Sequence, residues 1–188
     1  MEHIVVTSVN RDDLPDGGSA HFARTVFWIK NFSPGTRVEV LIPDFKGNRE
    51  ALETVVRSGI HVLNHNMETV PRLYQRVRPG AVYQRSLDIL KAAKEIRGDI
   101  LTKSGLMLGV GETMEEVLIT LKDMRRHDCD IITLGQYLQP STDQLPVDRY
   151  VLPVEFRQLK QEAEKLGFRH VESNPLVRSS YHAWSHVN

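Results

Sequence analysis

Short apolar runs alternate with amphipathic stretches along most of this chain. That alternation constrains the fold more than any other feature of the sequence. His3 to Ser8 is β-branched and closes on the turn cluster Asn10-Arg11-Asp12-Asp13, which predicts a buried strand. Arg37 to Ile42, Ile60 to Leu63, Ile100 to Leu108 and Ile131 to Leu134 repeat the signature, and Phe168 to Val171 predicts a last extended piece. Helical patterns fill the gaps. After Gly17-Gly18-Ser19, Phe22, Val26, Phe27 and Ile29 fall on one face until Pro34-Gly35 stops the pattern. Leu52, Val55 and Val56 mark a helix ended by Gly59, and a short helix begins near Thr69. Longer ones are predicted over Tyr83 to Ile96, over Glu112 to His127, and from Pro153 onward. Parallel strands need crossover helices, so the pattern predicts parallel β/α architecture. The units are too few for an eight-fold barrel, which leaves an open or partial barrel or a doubly wound sheet. In each, ligands belong at the carboxyl ends of the strands.

Composition removes several functions. The 188 residues include one cysteine, so no internal disulfide, four-cysteine zinc site or cysteine-ligated cluster can be assembled from this chain alone. Lys+Arg and Asp+Glu are both 24, so no overall basic field draws the chain to nucleic acid. The start lacks a basic segment followed by an apolar one, and no run approaches ~18 apolar residues. Neither a secretory signal nor a membrane span is expected, and the cytoplasm is the expected compartment.

Polar residues collect at the predicted strand ends. Thr7, Ser8, Asn10 and Asp16-Gly17-Gly18 follow the first strand; Asn64, His65, Asn66 and Glu68 follow the third; Gly109, Gly111 and Glu112 follow the fourth; Gln136, Tyr137 and Gln139 follow the fifth. Such residues bind ligands, and they also cap helices and close turns. Asp16-Gly17-Gly18 at a helix start allows close backbone approach and N–H groups directed at an anion. Gly105 to Glu112 reads as a strand with glycines at its ends, followed by a first-turn carboxylate suited to the helix dipole, or as a tight strand–helix turn. Asn64-His65-Asn66 is a poor set for a transition metal. His182 and His186 lie four apart near the C-terminus, where a frayed tail accounts for them. Cys129 stands between Asp128 and Asp130, whose charges raise a thiol pKa, so it is a poor nucleophile.

Six stretches carry a resemblance. Thr7 to Gly18 (TSVNRDDLPDGG), Leu63 to Val70 (LNHNMETV), Arg76 to Ala81 (RVRPGA), Thr102 to Thr113 (TKSGLMLGVGET), Leu134 to Ser141 (LGQYLQPS) and Arg178 to Ala183 (RSSYHA) are similar to lipoyl synthases, in that family's order and spacing from end to end. The resemblance implies a radical S-adenosylmethionine (SAM) enzyme on a partial (β/α)6-type barrel, with a barrel part over residues 1–173 and a motif-bearing tail over 174–188. It implies insertion of two sulfurs, at C6 and C8 of a protein-bound octanoyl chain, with SAM and two 4Fe-4S clusters as cofactors. Implied partners are octanoylated lipoyl domains or the glycine cleavage H protein, and an electron donor such as flavodoxin or ferredoxin.

Residue by residue, the resemblance places Thr7, Ser8, Asp16, Gly17 and Gly18 around the methionyl end of SAM, and Asn64, Asn66 and Glu68 near its ribose. Gly105, Gly109 and Glu112 belong to the strand motif that packs on adenine, and Gln136 and Leu138 to its backbone contacts. The RSSY motif supplies a serine ligand to the auxiliary cluster, Ser180 being favoured over Ser179. Arg149 and Tyr150 are substrate candidates on position alone. The family's two cysteine triplets have no counterpart here, and Cys129 lies elsewhere. Met1 to Val5 matches the family's second barrel strand, so the first β/α unit and the N-terminal arm are expected to be missing and the chain alone inactive. The alternative from another class is a cluster-free module that binds SAM or the lipoyl carrier. A generic β/α enzyme acting on a phosphorylated compound lacks a late Gly-rich loop.

Overall fold

A computed structural model describes residues 2–181. Six parallel strands form one sheet in the order in which they occur: β1 (His3–Thr7), β2 (Arg37–Leu41), β3 (Val62–Asn64), β4 (Leu101–Leu108), β5 (Ile131–Gln136) and β6 (His170–Ser173). Between them run α1 (Ser19–Phe32), α2 (Arg49–Arg57), the short α3 (Tyr74–Val77), α4 (Tyr83–Ile96), α5 (Met114–Arg126) and α6 (Pro153–Lys165). A doubly wound sheet reverses its strand order at a switch point. This order never reverses, so same-handed crossovers leave the helices on one face and curl the sheet into a partial barrel. No helix among the described residues is long and apolar enough to cross a membrane.

Local chemistry explains the element ends. α5 starts at Thr113, whose hydroxyl accepts from the Glu116 N–H at 3.2 Å while Glu116 accepts from the Thr113 N–H at 2.8 Å, a reciprocal cap. Its Val117, Leu121 and Met124 are buried, each side chain contributing about 1.5–3 kcal/mol by leaving water. Asn48 caps α2, and Pro153 stands at the first position of α6. On α1, Phe22 and Val26 are buried as the pattern predicts, but Phe27 is 56% exposed. The predicted apolar face is one residue too wide there.

The helix-facing side of the sheet holds the core, with Val38, Val40, Leu63, Leu106, Leu108, Ile132 and Leu134 all buried. The inner side differs from the apolar strands the sequence predicts. There Lys103 Nζ lies 3.1 Å from Glu39 Oε1, with both side chains fully buried. Asn64 donates to the same carboxylate at 2.8 Å, and His3 Nε2 lies 3.7 Å from it. Burial pushes the Glu39 carboxyl up, but His3, Lys103 and Asn64 outweigh it and hold the acid ionised. Asn64 is thus the last residue of β3, its side-chain N–H engaged with Glu39 inside the barrel and its Oδ1 buried without a partner.

Candidate functional site

A cavity of about 300 Å³ opens at the carboxyl ends of β4 and β5. Two glycines make it possible. A Cβ on Gly105 would sit 2.6 Å from Thr133 Oγ1 and 3.2 Å from Asn66 Oδ1, so any side chain there fills the space. A Cβ on Gly135 would run into the Val177 carbonyl, so glycine lets the segment after β6 fold across the strand end. That segment is fastened by the Gln136 N–H to Pro175 O at 3.2 Å and by the Asn174 N–H to Leu134 O at 3.1 Å. Its Val177 to Ser179 become a wall.

The opposite wall is the stretch after β3, which continues along β4. The Glu68 N–H donates to Gly105 O at 2.9 Å and the Met107 N–H to Glu68 O at 2.8 Å. Glu68 adopts φ 68°, a left-handed conformation that costs about 1–2 kcal/mol in a residue with a Cβ. Asn66 and Glu68 both line the cavity. Asn66 Nδ2 donates to Glu68 Oε1 at 3.0 Å, leaving Asn66 Oδ1 buried without a partner. Burial raises the Glu68 pKa, while the Asn66 bond and the nearby Arg78 charge oppose the rise. An unspent acceptor beside a buried carboxyl suits a ligand bearing adjacent hydroxyls. Met107, Tyr137 and Leu138 supply apolar surface for a flat ring.

Beneath this wall a directional chain of hydrogen bonds fixes the loop. Arg78 donates to the Asn66 carbonyl at 2.9 Å and to Tyr74 Oη at 2.7 Å. Tyr74 donates to Ser86 Oγ at 2.8 Å, and His65 lies 2.9 Å from Ser86 Oγ through Nε2 and 2.9 Å from Ile42 O through Nδ1. A carbonyl can only accept, so Nδ1 carries the hydrogen and the ring is neutral. Burial pushes its pKa down to about 4. Both His65 nitrogens are engaged, which removes it as a ligand.

Of the predicted site residues, Asn66, Glu68, Gly105, Gln136, Leu138 and Ser179 line this cavity. The others stand apart from it. Thr7 and Ser8 are exposed at the β1 end. The Asp16 carboxylate accepts from the Gly18 N–H at 3.0 Å and the Ala20 N–H at 2.9 Å, while the Gly17 N–H donates to Leu14 O. The N–H groups expected to face an anion are therefore spent within the loop, and Gly17 is required because a Cβ would strike Phe45. Glu112 is buried and accepts from the Gly109 N–H at 2.6 Å and the Val110 N–H at 3.0 Å, so the tight-turn reading holds for it. Gly109 gives room to the Arg149 carbonyl and the Gln136 amide. Arg149 is paired with Glu155 at 2.9 Å, and Tyr150 is 71% exposed. Ser180 is exposed, whereas Ser179 lines the cavity. His182 and His186 lie outside the described residues.

Sequence reasoning missed Met107, Thr133, Gly135 and Arg178. The first three share the inward-facing alternation of Gly105, a signal that period-two counting from that glycine reveals. Gln136 lends only its backbone, because its side-chain amide bonds Tyr137 O, Arg149 O and the Val151 N–H.

Cys129 is buried, its thiol pushed up to about 12 by burial and by Asp130, and it donates to Ile131 O. Among the described residues no group of three His, Cys, Asp or Glu could hold a metal ion. This donor set does not fit an iron–sulfur cluster. The glycine-lined cavity with its unspent Asn66 acceptor does fit an adenosyl ligand.

The chain is 58% identical to a lipoyl synthase from Caldanaerobacter subterraneus subsp. tengcongensis over 97% of its length and 64% of that protein. It is 54% identical to one from a Roseiflexus species, over 100% of its length and 62% of that protein. It thus spans about three fifths of these relatives. Among solved structures, methylornithine synthase superposes with a TM-score of 0.67 at 15% identity, covering 95% of this chain and 59% of that one. HydG, a maturase of the FeFe-hydrogenase, gives 0.66 at 17%, covering 91% and 45%. A sequence profile described as "Radical SAM superfamily" matches residues 1–124, so the chain belongs to the radical SAM superfamily.

Proposed function

We propose that this chain supplies the SAM-binding cavity of a lipoyl synthase, which inserts two sulfurs at C6 and C8 of an octanoyl chain carried on a lipoyl domain or an H protein. The observation that carries the reading is the convergence of Asn66, Glu68, Gly105, Gln136 and Leu138 on one cavity. Five positions that the resemblance assigns to SAM meet there from three separate stretches of sequence. SAM, were iron–sulfur centres provided by residues outside this chain, would supply the one-electron chemistry that an unactivated C–H bond requires. The chain's own residues do simpler work. Asn66 and Glu68 take the ribose hydroxyls, the Gly105–Met107 strand gives a flat seat, and the Val177–Ser179 segment shields the ligand from water. With one cysteine, buried in a helix-side turn, this polypeptide does not supply the ligands for either cluster. The partners are the octanoylated carrier and a flavodoxin- or ferredoxin-type donor, in the cytoplasm.

Calorimetric titration with S-adenosylhomocysteine tests the reading. Saturable binding is expected, lost in Gly105→Val and kept in Tyr150→Ala; absence of binding to the wild-type chain overturns it. After anaerobic treatment with iron and sulfide, the isolated chain is expected to release no 5′-deoxyadenosine. The poor cluster fit favours a second reading, a cluster-free module that binds SAM or the carrier without turnover. The same pair of measurements separates the two once the chain is supplied with a polypeptide carrying the cysteine triplets: turnover supports the synthase, and binding without turnover supports the module.

A further inference from the structure

At the opposite edge of the sheet, where the strands begin, lies a second pocket of about 450 Å³. Its lining gathers cations from separate elements: Lys30 from the last turn of α1, Arg37 from the start of β2, Arg97 from the end of α4, and Arg169 from just before β6. The carboxylate in the lining is Asp99, which is 86% exposed and lies 3.3 Å from Arg97. In a chain with equal numbers of acids and bases, four cations against one acid is a local concentration of charge, not a reflection of composition. Helix ends explain part of it, since cations favour the negative end of the helix dipole and Lys30 and Arg97 stand at such ends. Arg169 introduces a strand, where no dipole rewards it. Arg97 is held in place by donating to the carbonyls of Val56, at 3.0 Å, and Ile60. The left-handed turn at Gly59, φ 93°, lets the Lys30 ammonium approach to 3.2 Å from where a Cβ would stand.

We propose that the pocket formed by Lys30, Arg37, His61, Arg97 and Arg169 binds a multiply charged phosphate-class oxyanion. The Arg169 guanidinium can present paired donors to phosphate oxygens and Lys30 an ammonium, while Arg97, whose N–H groups are engaged by Val56 and Ile60, contributes its charge. His61 adds a neutral donor: its Nδ1 accepts from the Val38 N–H at 3.0 Å, so the hydrogen is on Nε2. The ring also registers the local field. Burial lowers its pKa, and Lys30, Arg97 and Arg37 lower it further. The pocket lies at the strand starts, away from the SAM cavity, and the proposal stands whether or not that assignment holds.

Pyrophosphate titrated into the full chain, followed by calorimetry and by the His61 imidazole resonance, tests the proposal. Saturable binding is expected, with the His61 titration midpoint rising because the anion offsets the cations that hold it down. The Lys30→Gln/Arg169→Gln double variant weakens binding by about tenfold or more. A control pair with the same charge change elsewhere, Arg24→Gln/Arg126→Gln, leaves it unchanged. Vesicles containing phosphatidylglycerol distinguish the phosphate source. Sedimentation with them that the Lys30→Gln/Arg169→Gln change abolishes identifies a lipid headgroup; pyrophosphate binding without sedimentation identifies a free phosphate compound. Non-saturable binding, or equal weakening in the control pair, overturns the proposal. S-adenosylhomocysteine affinity is expected to be the same in both double variants.

Discussion

Two loops at the same end of the sheet look alike in sequence and behave differently in the structure. The loop after β3 presents Asn66 and Glu68, and the loop after β4 presents Gly109 and Glu112. Each pairs an acidic residue with small or amide neighbours beside a strand end. In the first, Asn66 Oδ1 is buried and unpaired, facing open volume. In the second, Glu112 spends its carboxylate on the N–H groups of Gly109 and Val110. The difference is one of leftover hydrogen-bonding capacity. A polar side chain at a strand end recognises a ligand only when its own backbone has not already consumed it.

Glycine substitutions test this contrast most severely. Gly109→Ala places a Cβ against the Arg149 carbonyl at φ 98°, and is expected to cost about 3–4 kcal/mol in urea unfolding while the folded fraction still binds S-adenosylhomocysteine. Gly105→Ala reverses the pattern, with about 1–2 kcal/mol of stability lost but roughly a hundredfold weaker binding. A stable Gly109→Ala protein that cannot bind would break the comparison.

Acid should act on the β3 side. The His65 pKa of about 4 lies below its ordinary value of 6.5, so the unfolded chain binds more protons between those values. Stability is therefore fully present above pH 6.5 and falls as pH drops toward 4, by about 3 kcal/mol. Denaturation midpoints at pH 7 and pH 4 measure the loss, and His65→Gln is expected to reduce it.

Carboxylate and amide deletions come next. Glu112→Gln keeps one acceptor for two buried N–H groups and should cost about 1–2 kcal/mol with little change in ligand affinity. Asn66→Ala should leave stability within about 1 kcal/mol and weaken binding about tenfold. The smallest effect is expected at Arg149. Its pairing with Glu155 is 40% and 22% exposed, so Arg149→Ala costs about 0.5–1 kcal/mol and leaves affinity unchanged.

The architecture was legible because it rests on periodicity. The strand–helix alternation placed all six strands, and Tyr83–Ile96 appears with the predicted ends. Of the motif residues, Asn66, Glu68, Gly105, Gln136, Leu138 and Ser179 line the cavity at the ends of β4 and β5. What the sequence concealed was how each polar group is spent. Asn64 and Asn66 are two residues apart in one motif, yet the first is locked to Glu39 inside the barrel and the second faces the cavity. The Glu39–Lys103 pair joins residues 64 positions apart, and no local pattern announces it. Asp16 and Glu112 read equally as caps and as ligands, because each role needs a carboxylate near a helix start. Only the partner distances separate the two roles.

The Val177 carbonyl seated against Gly135 also orders the site in time. All six strands precede residues 177–179 in the chain, so during synthesis the sheet can form while the cavity still lacks a wall. The pocket is completed only when the segment beyond β6 emerges and folds back over β5. A nascent chain that stalls just after Ser173 would carry the whole sheet and an unfinished site, which makes ligand retention a reporter that synthesis has passed Ser179.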